Sequence, residues 1–135
     1  MCLFEVGHAK LFLPNCENMG NNEYMLSITY NRTFTADEFI KSSNILIELN
    51  NTTDIYKSIK AELDDFNKNY QAVEKGDEYS ISYTYKNGFN LEKNGTLVSS
   101  SNNQELAKAY FKVWFGDEPF NKKMKKNLLS NIKIK

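Results

Sequence analysis

One histidine, one tryptophan, one arginine, two prolines and two cysteines in 135 residues leave little material for several common kinds of chemistry. Cys2 and Cys16 form no CxxC pair, and His8 stands alone, so neither a zinc site nor a thiol-redox pair is expected. The apolar runs are only a few residues long, which excludes a transmembrane helix. The opening MCLFEVGHAK lacks a basic region and a small-residue cleavage site, so it does not read as a secretory signal, and the compartment is left open.

Acidic residues are missing from one end. Up to Glu118 there are 17 acids against 11 bases; from residue 119 on there are six lysines and no acid, although the whole chain is neutral. A basic tail over residues 120–135 invites a nucleic-acid or membrane partner. No aromatic residues interleave its lysines, however, and the plain reading is a solvated last helix with lysines near its C-terminal end. No nucleic-acid partner is expected. The abundance of Asn (18) and Lys (16) looks like a coding bias, so the glycosylation-like triplets at Asn31, Asn50, Asn51 and Asn94 carry little weight.

What is present is a core. Apolar residues make up 41% and aromatics 13%, enough for one folded domain over residues 1–135. Residues 3–13 read as one strand closed by Pro14 and the polar turn at 15–22. Tyr24, Leu26, Ile28 and Tyr30 alternate as a second strand. Thr35 and Glu38 make a capping box that starts a helix to about Leu49, with Ala36, Phe39, Ile40, Ser43 and Ile47 inward. The stripe Ile55, Ile59, Leu63, Phe66, Tyr70 and Val73 predicts a second helix over 54–73.

Tyr79, Ile81, Tyr83 and Tyr85 then alternate as a strand. Asn87-Gly88 and Asn94-Gly95 predict hairpin turns in which both residues accept positive φ. The segment 102–105 caps a broadly apolar helix from Leu106 to Phe115. Gly116 is expected to end it with a left-handed residue, and Pro119 precedes a short helix with Met124, Leu128 and Leu129 inward. The sum is an α+β domain, an antiparallel sheet covered on one face by helices.

LSITYNRTFTADEFIKSS, GDEYSISY, the strands joined at NG turns and AYFKVWFGDEPFNKKMKKNLL, in that order, make the chain resemble the chalcone isomerase-like family of bacterial proteins over roughly residues 4–129. The resemblance implies an open-faced β-sandwich: a curved antiparallel sheet, a layer of helices and a cleft between them. It also implies one more strand before the segment at Leu3. The chain as written would lack that strand, so either translation starts upstream, with an export signal there as in some relatives, or a second copy covers the open edge in a homodimer.

Within the family, isomerases close a flavanone ring with hydrogen-bond donors that stabilise an enolate. The donor on the strand falls on Gly7 and that on the late helix on Val113, neither of which has a side-chain donor. Asn44 matches a helix Asn only if Asp37 replaces a Tyr. No catalytic residue, metal or cofactor is therefore expected. Non-catalytic members of the fold bind fatty acids through an Arg and a Tyr above an apolar tunnel. By this resemblance, the clamping Arg belongs to the missing first strand, so a small apolar or fatty-acid ligand would meet Phe39, Ser43, Tyr110 and Trp114 in the cleft and Arg32 at its mouth, from the strand–helix junction. The plainer readings are a filled core with no ligand and an Arg32 paired with Asp37, Glu38 or a helix carboxyl end. His8, on a strand without a carboxylate or nucleophile, is read as incidental. A divergent isomerase or lyase is the remaining alternative.

Overall fold

Period-two alternation builds the sheet, and spacings of three and four build the layer over it. A computed structural model describes residues 2–14 and 23–129. The strands β1 (Cys2–Val6), β2 (Ala9–Leu13), β3 (Tyr24–Thr29), β4 (Glu78–Thr84), β5 (Gly88–Lys93) and β6 (Thr96–Ser101) form one antiparallel sheet in sequence order. The helices are α1 (Ala36–Asn50), α2 (Thr53–Asn67), α3 (Gln104–Phe115) and α4 (Lys122–Leu129). The polar turn at 15–22, Cys16 and residues 130–135 of the basic tail lie outside the described residues.

Register decides which side chains face the helices. Leu11, Leu26, Ile81 and Leu91 stand side by side across β2 to β5, and Tyr24, Tyr83 and Phe89 form the neighbouring row; all seven are buried. Against them the helices place Ile47, Ile59, Leu63, Phe66, Leu106 and Tyr110, also buried. Burial of apolar surface on this scale, about 25 cal/mol per Å², is what holds the helix layer on the sheet. The expected α+β fold with helices over an antiparallel sheet is the one observed.

Several local expectations are corrected. The predicted strand over 3–13 is a hairpin: Gly7 takes φ +55° and the chain reverses, pairing Val6 with Ala9. Gly7 and His8 therefore sit exposed in a turn and on no strand. The helix predicted to reach Val73 ends at Asn67. Beyond it the hydroxyl of Tyr79 accepts from the Gln71 N–H (2.8 Å) and donates to the Gln71 carbonyl (2.7 Å), while Val73 exchanges backbone bonds with Phe34. A turn and a connector hydrogen-bonded at Gln71 and Val73 thus replace further helical turns, and Tyr70 and Val73 reach the core from that connector.

Of the two Asn-Gly pairs, only Asn94-Gly95 has positive φ at both residues (50° and 83°). At the other, Gly88 alone is left-handed, and the turn is the three-residue loop 85–87. Tyr85, expected to continue β4, is exposed in that loop. The capping box at Thr35 is present in both directions, whereas α3 is capped by Asn103 and not by Asn102.

Gly116 has φ −77°, so it is no left-handed cap. It is glycine for lack of space. A Cβ there would lie 2.5 Å from Asn50 Oδ1 and 2.6 Å from the Lys112 carbonyl. Asn50 fills that position because its side chain holds residue 118 from both sides, accepting from the Glu118 N–H and donating to its carbonyl. Gly116→Ala is expected to lower unfolding stability in urea by about 1–3 kcal/mol through overpacking. An unchanged midpoint would show that the junction relaxes freely.

Candidate functional site

Between α1, α3 and the sheet lies a small cavity under the helix layer. It measures about 70 Å³. Phe39, Ser43 and Leu46 of α1 border it, with Tyr110, Val113 and Trp114 of α3 opposite. Ile28, Tyr30, Phe34 and Tyr70 close the sheet end, and Phe120 lies at the rim, about half-exposed. Two larger hollows, of about 250 and 830 Å³, lie elsewhere. The first is lined by Tyr24, Ile55, Ala109 and Phe111 together with the charged Glu105, Lys108 and Lys112, and the second by the sheet's other side, at Met25, Ser82 and Asn90. The small cavity sets an aromatic wall against the buried hydroxyl of Ser43, among residues that the sequence singles out, and it is the candidate site.

The aromatic wall is continuous. Phe39 stacks on Tyr70 at 5.3 Å and meets Tyr30 and Tyr79 edge-on. Tyr110 stacks on Trp114 at 5.9 Å. Such pairs contribute about 0.5–1.5 kcal/mol each beyond their buried area.

Beneath the aromatics runs a chain of hydrogen bonds. Tyr70 and Tyr110 share a hydroxyl–hydroxyl contact at 3.0 Å, Tyr110 donates to Asn67 Oδ1 at 2.6 Å, and Asn67 Nδ2 donates to Ser43 Oγ at 2.9 Å. Ser43 passes its own proton to the Ile40 carbonyl at 3.1 Å. Asn67 and Tyr110 are almost wholly buried, so each partner satisfies a group that would otherwise carry a desolvation penalty. Burial pushes the phenols of Tyr24, Tyr30, Tyr70 and Tyr110 well above the ordinary tyrosine range, and neighbouring tyrosines add to the rise at Tyr24, Tyr30 and Tyr70. They are neutral donors and acceptors, not bases.

Of the residues singled out in the sequence, Phe39, Ser43, Tyr110 and Trp114 come together around this cavity. Arg32 does not line it. Its guanidinium lies 3.8 Å from the centroid of the Phe34 ring and contacts the Thr33 carbonyl. The expected ion pair with Asp37 or Glu38 is also absent: among the described residues Arg32 makes no salt bridge, and Glu38 is engaged in the capping box. A cation over an aromatic face supplies the junction instead. Val113 is buried and lines the cavity, without a side-chain donor. Asn44 lies outside the lining, and its buried Oδ1 has no partner.

Sequence reading missed Tyr70 and Asn67 as site residues. Asn67 follows Phe66 at the edge of an apolar stripe, a polar residue at a buried spacing, and that was the available signal. Tyr70 was assigned to a helix that stops short of it.

An open-faced layer of helices on an antiparallel sheet, with a narrow aromatic cleft between, defines the class. Residues 11–130 match the chalcone isomerase-like family, and the chain belongs to it. Among solved structures, the crystal structure of a fatty-acid binding protein of Arabidopsis thaliana shares the fold, with a TM-score of 0.56 and 16% identity. The similarity covers 81% of this chain and 55% of the plant protein, so the chain spans about half the length of that neighbour. No curated protein matches the chain. Among the described residues no helix is long and apolar enough to cross a membrane, and no acidic, histidine or cysteine cluster could hold a metal.

Two outcomes test the site. Tyr110→Phe strands the Asn67 Oδ1 acceptor and is expected to lower stability by about 1–3 kcal/mol in chemical denaturation. The tyrosines also set an alkaline limit. Their folded pKa values are raised, so the stability they confer is complete below about pH 10, where unfolded tyrosine ionises, and is lost as pH rises further. The tyrosinate ultraviolet band of these residues should therefore appear only together with unfolding.

Proposed function

We propose that the chain is a non-enzymatic chalcone isomerase-like domain that binds a small apolar or amphipathic ligand between its helices and its sheet. The observation that carries this reading is the cleft wall: apolar and aromatic side chains above, one buried line of hydroxyl and amide groups below. The name of the plant neighbour suggests a fatty acid as one ligand class. Catalysis of ring closure is not proposed, because Val113 offers no donor and the tyrosines stay neutral.

At about 70 Å³ the cavity is well below the roughly 300–1,000 Å³ typical of ligand pockets. A bound chain would therefore displace Phe120, whose ring is half-exposed at the rim. The same small volume favours a second reading, an interaction domain with a filled core. Native mass spectrometry of gently purified protein separates the two. A co-purifying apolar molecule, released on denaturation, is expected. Absence of any ligand, with no uptake of fatty acids or of the corresponding alcohols up to high micromolar concentration, would select the filled core.

A further inference from the structure

The hydrogen-bond chain in the cleft has a direction, and the direction specifies what a ligand can offer. Ser43 uses its single proton on the Ile40 carbonyl and accepts from Asn67 Nδ2. The Asn67 amide is thereby oriented with Oδ1 toward Tyr110, which donates its single proton there at 2.6 Å. At the 3.0 Å contact between the two phenols, Tyr70 must then be the donor. The Tyr70 oxygen at the cavity is left with acceptor capacity alone.

The rest of the lining contains no cation. Lys, Arg and His are absent from it, and Glu38 at its edge is exposed with its carboxylate held in the capping box. The neutral polar groups of the lining are the Ser42, Ser43, Tyr30, Tyr70 and Tyr110 hydroxyls and the Trp114 indole N–H. Arg32 stays on the outer side of this wall, with its charge over the Phe34 ring. A carboxylate entering the cleft would meet an acceptor at Tyr70 and no counter-ion, which is the costly way to bury an ion. A hydroxyl donates where the chain ends. Resting on the ligand-binding reading above, we propose that the cleft selects an uncharged ligand bearing a hydroxyl group, an aliphatic alcohol or a phenol, over the carboxylate of the same carbon skeleton. Burial keeps Tyr70 a neutral phenol, so its acceptor role holds at ordinary pH.

Trp114, the sole tryptophan, lines the cavity and reports on its occupation. Fluorescence titration with 1-octanol and with sodium octanoate at neutral pH, repeated by calorimetry, tests the proposal. Octanol is expected to bind about ten-fold tighter or more. Tyr70→Phe is expected to weaken octanol about three- to ten-fold, the loss of one hydrogen bond, and to leave octanoate unaltered. Octanoate binding as tightly as octanol would overturn this inference while leaving the ligand-binding reading in place. So would an octanol affinity unmoved by Tyr70→Phe. Binding of neither compound, by either method, would overturn both. The comparison in the unaltered protein stands on its own if the Tyr70 variant fails to fold.

Discussion

The side-chain amide of Asn67 is the point on which the helix layer depends. It closes α2, accepts from Tyr110 on α3 and donates to Ser43 on α1, so one buried group joins three helices. Burying an amide is unfavourable unless both ends are paired, and here each end has one arrangement that satisfies it. The apolar contacts among these helices would tolerate small slides and rotations. The amide does not, because a shift of an ångström leaves a donor or an acceptor without a partner. The spacing between α1 and α3, and hence the width of the cleft, follows from that constraint.

A cleft so defined is narrow and neutral. Its aromatic rings interlock through stacked and edge-on contacts, and its polar floor is spent largely on itself. Arg32, at the junction before α1, lies with its charge over the Phe34 ring. No cation stands among the residues that line the cleft.

How much of this was legible follows from where each signal resides. Capping at Thr35, the alternation from Tyr24 to Ile28 and from Tyr79 to Tyr83, and the apolar stripe from Ile55 to Phe66 are local, and the structure carries them. The hairpin at Gly7 was hidden because β1 and β2 are both short and apolar, so no change of period marks the reversal. The end of α2 was hidden because Tyr70 and Val73 keep helical spacing by coincidence, while Tyr79, distant in sequence, captures the backbone at Gln71. Gly116 was assigned to the wrong cause, since steric closeness to Asn50 is invisible without the third dimension. Phe39, Ser43, Tyr110 and Trp114 could be placed near a cleft from helical phase. The direction of the hydrogen bonds among them depends on Asn67 and could not be seen.

The strand order has a kinetic side. Every ladder of the sheet joins strands adjacent in sequence, and most close over short turns. The ladder between β3 and β4 differs, because residues 30–77, with α1 and α2 among them, lie between its strands. Its loop-closure entropy is the largest in the sheet, and contacts that distant in sequence slow folding. The backbone bonds of Tyr30 with Gly76 and Asp77, and of Phe34 with Val73, stitch the base of that excursion together. They make the mouth of the helical insertion the place where two hairpin systems, each able to form locally, become one sheet.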